Sequence, residues 1–130
     1  MLNGNDTIEF PNSTKSDDFC EFLLKVRCNN PMNRICLIMD NFATHKAKRV
    51  REKAGELNIE LIYLPPYSPD LNPIEYLWKS IKRVVSISKI ENKQELVDIV
   101  RERFIDLAAN LSMARMWIPR FLYDKLNLLC

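Results

Sequence analysis

Glycine, paired cysteines and long apolar runs are scarce or absent in this chain. Two glycines in 130 residues leave little room for a glycine-rich phosphate loop, which argues against a nucleotide-binding module of that kind. The four cysteines show no C-x-x-C spacing, so unpaired thiols in a reducing compartment are expected rather than a zinc site or disulfides. No apolar stretch reaches membrane-spanning length and no signal pattern opens the sequence, so a cytoplasmic protein without a membrane partner is predicted.

The composition is that of one ordinary globular domain with a mixed surface. Hydrophobic residues make up 47% of the chain and charged residues 28%, and the net charge is +2. Basic residues nevertheless cluster in two segments, 45–53 and 79–89. Such runs are typical either of a solvated helix face or of a surface that contacts phosphates. The sequence leaves both interpretations open.

Hydrophobic periodicity predicts an α/β protein in which strands and helices alternate. Strands are expected at residues 7–10, 34–39 and 59–64. Helices are expected within residues 12–27, over 44–57, from 73 onward and after 92. RICLIM, at 34–39, is almost wholly apolar, which predicts a strand buried on both faces. Asn92 followed by Glu95 is typical of a capped helix start.

A rigid segment precedes one of these helices. Four of the seven prolines lie in YLPPYSPDLNPIEYLW, residues 63–78. Asn72 suits the N-cap and Pro73 the first helical position, which makes Glu75 the third residue of the helix. Because prolines restrict the approaching loop, the segment is expected to hold Glu75 in a defined position.

Asp40 stands at the predicted carboxyl end of the 34–39 strand, where ligands and catalytic groups of α/β sheets gather. Taken alone, Asp40 is typical of a turn and Glu75 of a helix cap. Taken together, two carboxylates above one sheet suit Mg²⁺, which takes a few carboxylates and keeps several waters. The pair therefore predicts a Mg²⁺ site, with Mn²⁺ as a substitute, for phosphodiester chemistry.

Three neighbouring residues have two interpretations each. His45 follows Asp40 by five positions and either packs at the start of the basic helix or lies beside the carboxylate site. Tyr67 and Ser68, in the proline-rich loop, either contact DNA or pack the loop.

Two segments, LIMDNFATHKAKRV and IELIYLPPYSPDLNPIEYLWKSIKR, closely resemble the catalytic domain of mariner-superfamily DDE transposases, including those of bacterial and archaeal insertion sequences. Thirty-four residues separate Asp40 from Glu75 (positions 41–74), the spacing of one large branch. The resemblance is most specific over residues 35–83. It implies an RNase H-like fold and Mg²⁺-dependent cleavage and joining of DNA, with transposon ends and target DNA as partners.

On this resemblance Asp40 is the second acid of a catalytic triad and Glu75 the third, and both bind the metal. The candidate DNA-binding or site-bordering residues are Asn41, His45, Lys46, Lys48, Arg49, Tyr67, Ser68, Asn72, Lys79 and Lys82. An enzyme of this kind is expected with the cell's DNA, at the nucleoid if the host is prokaryotic.

One departure from the family pattern concerns the first acid, which belongs on the first strand of the sheet. Asp6, Asp17 and Asp18 do not occupy that place, so residues 1–130 are expected to form a partial RNase H-like domain that lacks its first strands. Its motif core is 35–83, and its C-terminal helices span about 92–128. The 34–39 strand would then have an open edge, which favours a homodimer or association with an N-terminal transposase half.

Three functions remain open from the sequence. The first is a transposase catalytic domain that is inactive until the missing part is supplied. The second is a non-catalytic remnant that binds transposase or DNA and regulates it. The third is a phosphate- or nucleotide-binding module that uses the end of the Asp40 strand, which the scarcity of glycine disfavours.

Overall fold

The structure is a computed structural model that describes residues 5–11, 13–66, 72 and 74–110. Its elements in chain order are helix α1 (Ser16–Asn29), strand β1 (Ile35–Met39), a 3₁₀ helix (Ala43–Lys46), helix α2 (Lys48–Glu56), strand β2 (Ile59–Tyr63), helix α3 (Ile74–Ile87) and helix α4 (Lys93–Ala108). The predicted alternation of helices and strands is confirmed. The chain divides into two compact units at the boundary between residues 72 and 73.

The two strands form a parallel pair. Their register runs from Ile35 opposite Ile59 to Met39 opposite Tyr63. A parallel pair needs a crossover connection, and the 3₁₀ helix and α2 provide it. Beyond the pair, the Leu64 N–H donates to the carbonyl oxygen of Met39 at 2.8 Å, so the two strands finish side by side. Among the described residues, β2 is the strand that pairs with β1.

The prediction that β1 is buried on both faces is wrong. Ile35 and Met39 are buried, with 6% of their surface exposed, whereas Cys36 between them is exposed. Successive residues of a strand point to opposite faces, and the inward face packs on α1 and α2. An apolar run in the sequence allows both faces of a strand to be buried. Burial of the second face also requires another element to pack against it.

One hydrophobic core joins α1, α2 and the inward face of the sheet. Its most deeply buried residues are Leu23 and Val26 of α1 and Val50 and Ala54 of α2, all at most 1% exposed. These residues recur at helical spacing, as the inner face of an amphipathic helix does. Ile35 and Ile59 complete the cluster from the strands.

Arg27, near the end of α1, ties three segments together. Its guanidinium donates to the carbonyl oxygens of Leu57 and Asn58 at 2.7 Å each, and to those of Asn30 at 3.1 Å and Asn33 at 2.8 Å. Asn58 has a φ of 52°, a left-handed conformation that asparagine tolerates well. The planar fork of arginine can satisfy several carbonyls at once, so Arg27 joins α1 to the turns before β1 and β2.

The predicted strand at residues 7–10 is absent, and the segment has no regular secondary structure. Hydrogen bonds hold the chain just before it on the end of α1 instead. The Asn5 N–H donates to Oδ1 of Asn30 at 2.7 Å, and Nδ2 of Asn29 donates to Oγ1 of Thr7 at 2.9 Å. The local sequence pattern did not reveal these contacts, because their partners lie more than twenty positions away.

The basic helix begins later than predicted. Ala47 has an extended ψ of 140° and forms the N-cap of α2, so the predicted helix over 44–57 is divided into a 3₁₀ helix and α2. Helix α1 begins at Ser16, within the predicted range, and Lys15 occupies its N-cap without a side-chain bond.

Helices α3 and α4 pack on each other in the second unit. Ile81 of α3 is buried, at 2% exposed. Oδ1 of Asn92 accepts from the Glu95 N–H at 2.9 Å, which confirms the predicted cap of α4. The Glu95 carboxylate accepts in turn from the Glu91 N–H at 2.8 Å. The predicted helical tail after residue 112 lies outside the described residues.

Among the described residues, every helix is too short or too polar to cross a bilayer.

Candidate active site at the end of strand β1

Asp40 follows β1 directly, as the sequence predicts, and its side chain is 62% exposed. It therefore lies at the carboxyl end of the parallel pair, beside the point where β2 also ends. In open α/β sheets the crevice beyond this end binds ligands. The fold thus presents a solvent-accessible carboxylate at the position where chemistry is expected.

Two donors meet one oxygen of this carboxylate. Nδ1 of His45 lies 2.8 Å from Oδ1 of Asp40, and the backbone N–H of Phe42 donates to the same oxygen at 3.3 Å. An ionised carboxylate only accepts hydrogen bonds, so the proton of this contact lies on Nδ1 of the imidazole. The structure thus brings His45 beside the Asp40 carboxylate.

Aromatic packing holds the His45 ring, whose side chain is 23% exposed. The ring centroid lies 4.5 Å from that of Phe19 and 5.7 Å from that of Phe42, which approaches edge-on. The hydroxyl of Tyr63 donates to the His45 carbonyl oxygen at 2.8 Å, so the backbone is anchored to the end of β2. The packing interpretation of His45 therefore also holds.

Asn41 fixes the next residue of the same loop. Its Nδ2 donates to the carbonyl oxygen of Leu64, just after the end of β2. Together with the Leu64 N–H bond to Met39, this contact holds the chain after β1 against the chain after β2. Asn41 therefore borders Asp40 through the backbone and keeps the strand ends together.

The candidate residues of the basic segment have different surroundings. Lys46 is exposed. Nζ of Lys48 lies 3.6 Å from a carboxylate oxygen of Glu52, and the Arg49 guanidinium lies 2.7 Å from Asp17. These surface pairs are weak, so the lysine and arginine remain free to exchange their partners for phosphates.

In the second unit, Glu75 lies in the first turn of α3, as predicted, and is exposed. Lys79 and Lys82 follow on the same helix and are also exposed. α3 begins at Ile74, two residues after Asn72. Pro73, Tyr67 and Ser68 lie outside the described residues.

Three residues of the Asp40 surroundings were not found by sequence reasoning. Phe19, Phe42 and Tyr63 support His45, but Phe19 and Tyr63 are remote from it along the chain. Phe42 lies within the first quoted motif, next but one to Asp40, and Tyr63 lies within the second. Those two positions are the available signals. Within the described parts of the chain, no three histidine, cysteine, aspartate or glutamate side chains form a cluster suited to a metal ion.

Residues 3–97 match the family model of the DDE superfamily endonucleases. The chain belongs to this family. As a DDE endonuclease family member it is also similar to the Tcb2 transposable-element transposase of Caenorhabditis briggsae, at 33% identity over 63 residues, 48% of this chain and 23% of that protein.

Solved structures show the fold of this DDE endonuclease. The catalytic domain of Mos1 mariner transposase matches with a TM-score of 0.64 and 21% identity, over 77% of this chain and 54% of that one. Structures of the same domain with Raltegravir and Mg or Mn match equally well. The fold is RNase H-like, which confirms the predicted class. The chain spans about half of that domain and less than a quarter of the Tcb2 protein.

Proposed function

We propose that this chain contributes two acids, Asp40 and Glu75, to a transposase catalytic domain that cleaves and joins DNA at transposon ends. The observation that carries the proposal is the exposed Asp40 carboxylate at the end of β1, with one oxygen held by His45, in a chain of the DDE endonuclease family. Family membership supplies the reaction class, and the strand end supplies the position at which such chemistry is expected.

The residues fit a magnesium ion by the chemistry of their donors. Asp40 and Glu75 offer exposed carboxylate oxygens, the hard ligands that Mg²⁺ prefers, and Mn²⁺ accepts the same ligands. The Mos1 catalytic domain has been solved with both metals, which supports the same choice here. When bound, such ions activate a water and stabilise the leaving oxygen of a phosphodiester. Asp40 and Glu75 are each proposed as a ligand of such an ion.

Lysines and arginine on both units are proposed to contact the DNA backbone. Lys46, Lys48 and Arg49 follow Asp40 in the first unit, and Lys79 and Lys82 follow Glu75 in the second. Phosphate contacts of this kind position the duplex without reading its sequence. Asn41 and Asn72, with Tyr67 and Ser68 of the proline-rich loop, are proposed to border the bound strand. Such an enzyme works where the cell's DNA lies, in the cytoplasm and at the nucleoid of a prokaryotic host.

A nicking assay tests the proposal. Because the chain spans about half of the Mos1 domain, the rest of the catalytic domain is supplied in trans, with transposon-end DNA of the parent element and Mg²⁺ or Mn²⁺. We expect cleavage from the completed assembly and little or none from the chain alone. Asp40→Asn and Glu75→Gln should each abolish cleavage, since an amide is a poor ligand for Mg²⁺.

Two control variants make the same changes of charge at positions outside the candidate site. Asp98→Asn and Glu102→Gln alter exposed carboxylates of α4 and should leave the nicking rate within about twofold, as surface substitutions generally do. Cleavage that survives Asp40→Asn would contradict the assigned role of Asp40.

The second candidate is a non-catalytic module that binds transposase or DNA and regulates transposition. Two observations favour it: the described residues hold no cluster of three metal-binding side chains, and β1 pairs on one side with β2 among them. Edge strands readily accept a strand of another chain. A completed assembly that binds transposon-end DNA but never cleaves it would support this function over the enzyme.

A further inference from the structure

We infer that His45 is a positioning residue, which fixes the Asp40 carboxylate through Oδ1 and leaves Oδ2 to bind the metal. The inference rests on the proposed function, because it takes Asp40 to be a metal ligand. It goes further by assigning different tasks to the two oxygens of Asp40 and by giving Phe19, Phe42 and Tyr63 a part in the arrangement.

The contacts of Asp40 are one-sided. Its Oδ1 accepts from Nδ1 of His45 at 2.8 Å and from the Phe42 N–H at 3.3 Å. An aspartate that is 62% exposed would otherwise sample several rotamers, because most of its side-chain surface faces solvent. Two donors on one oxygen select a single orientation of the carboxylate, and both of these bonds are made to Oδ1 rather than Oδ2.

The imidazole can select that orientation because it is itself held. Phe19 belongs to α1 and packs against the hydrophobic core, and its ring lies 4.5 Å from that of His45. The ring centroid of Phe42 lies 5.7 Å from that of His45. The Tyr63 hydroxyl donates to the His45 carbonyl oxygen at 2.8 Å. The position of the metal-facing oxygen is thus set by α1 and β2, which lie outside the loop that carries Asp40.

This arrangement has a chemical consequence. Residues that hydrogen-bond to a metal ligand orient it, and their loss typically weakens metal affinity or activity by about 10- to 100-fold. A histidine that only packed against Phe19 would lack this effect. The two roles therefore differ in a measurable quantity, the order of the Asp40 side chain and its affinity for metal.

The first test needs no metal. Three-bond couplings from NMR report the χ1 rotamer of Asp40 in the 130-residue chain, in His45→Ala and in His45→Asn. The amide nitrogen of asparagine hangs from Cγ as Nδ1 of histidine does, so it can donate to Oδ1. We expect one rotamer in the wild type and in His45→Asn, and averaging in His45→Ala. Averaging in the wild type, or a single rotamer in His45→Ala, would overturn the inference.

The imidazole gives a second signature. His45 is the only histidine in the chain, so its ¹⁵N signals are assigned without ambiguity. We expect Nδ1 to carry a proton in the wild type. The ¹⁵N signal of Nδ1 should change its chemical shift in Asp40→Asn. An imidazole with its proton on Nε2 alone would contradict the hydrogen bond to Asp40.

The third test measures Mn²⁺ binding, by the relaxation that the ion causes at the Phe42 amide. We expect affinity about tenfold weaker in His45→Ala, within about threefold of wild type in His45→Asn, and lost in Asp40→Asn. Asp98→Asn, with the same change of charge, should bind as the wild type does. Affinity unchanged in His45→Ala but lost in Asp40→Asn would overturn the positioning role alone. Affinity unchanged in Asp40→Asn would contradict the proposed function, and the couplings would still decide whether His45 orients Asp40.

Discussion

Nδ1 of His45 lies 2.8 Å from Oδ1 of Asp40. Asp40 directly follows strand β1, which ends at Met39, and His45 lies in the 3₁₀ helix Ala43–Lys46. The contact converts a flexible surface carboxylate into one with a defined direction. It also connects the candidate active site to the core, since His45 packs on Phe19 of α1.

The Tyr63 hydroxyl is expected to stabilise the loop that carries His45. Tyr63→Phe removes the 2.8 Å bond to the His45 carbonyl oxygen and should lower the free energy of unfolding by about 1 kcal/mol, a typical net value for one hydrogen bond. Urea denaturation measures this loss, and faster amide exchange in residues 43–47 should accompany it. Tyr76→Phe, at an exposed position of α3, is the control and should change little. Equal decreases of the free energy of unfolding in both variants would show that the hydrogen bond to His45 does not stabilise the protein specifically.

Arg27 should matter more to stability than any other surface arginine of the first unit. Arg27→Ala removes the guanidinium bonds to four carbonyl oxygens and should cost about 2–3 kcal/mol of unfolding free energy, since hydrogen bonds to charged groups are strong. Arg27→Lys keeps the charge but not the fork and should recover only part of the loss. Arg34→Ala is the control, because the Arg34 side chain is 91% exposed and its pair with Glu60 is 3.5 Å long. A free energy of unfolding in Arg27→Lys equal to that of the wild type would show that the positive charge, not the planar guanidinium, provides the stabilisation.

The edge of β1 is expected to drive self-association under reducing conditions. β1 carries no charge and no proline, the features that protect natural edge strands. Cys36→Lys places a charge at an exposed position of this strand and should lower the average mass measured by light scattering or solution X-ray scattering. Cys28→Lys makes the same change at an exposed position of α1 and should leave the mass unchanged. A wild-type chain that is a monodisperse monomer would rule out pairing through β1.

Stability should fall in alkaline solution partly because of Cys20. Burial raises the pKa of its thiol above the ordinary value of 9.0. Unfolding above that pH lets the thiol ionise, so its contribution to stability is complete below 9.0 and is lost as pH rises through the higher folded value. Cys20→Ala should therefore show a smaller decline of unfolding free energy on the alkaline side than the wild type. The same decline in wild type and Cys20→Ala would contradict this assignment, and Cys28→Ala serves as the exposed control.

The sequence predicts features that depend on neighbours along the chain. The inner faces of α1 and α2 follow from helical spacing, and both Val50 and Leu23 are completely buried. The Asn92 cap follows from a motif of four residues, because its bond to the Glu95 N–H spans a single turn. Asp40 at the end of β1 follows from an apolar run closed by an acid.

The tertiary structure decided what depends on distant residues. Residues 7–10 form no strand, and Asn5 and Thr7 instead bond to Asn30 and Asn29, more than twenty positions away. Cys36 is exposed because the described core covers only the inward face of β1. His45 met Asp40 because Phe19 and Tyr63 hold its ring and backbone from other elements. Helical periodicity and helix capping depend on residues close together in the sequence, so they can be predicted from it. Contacts between residues that are remote in the sequence depend on tertiary packing, and the contacts of Phe19 and Tyr63 with His45 are of this kind.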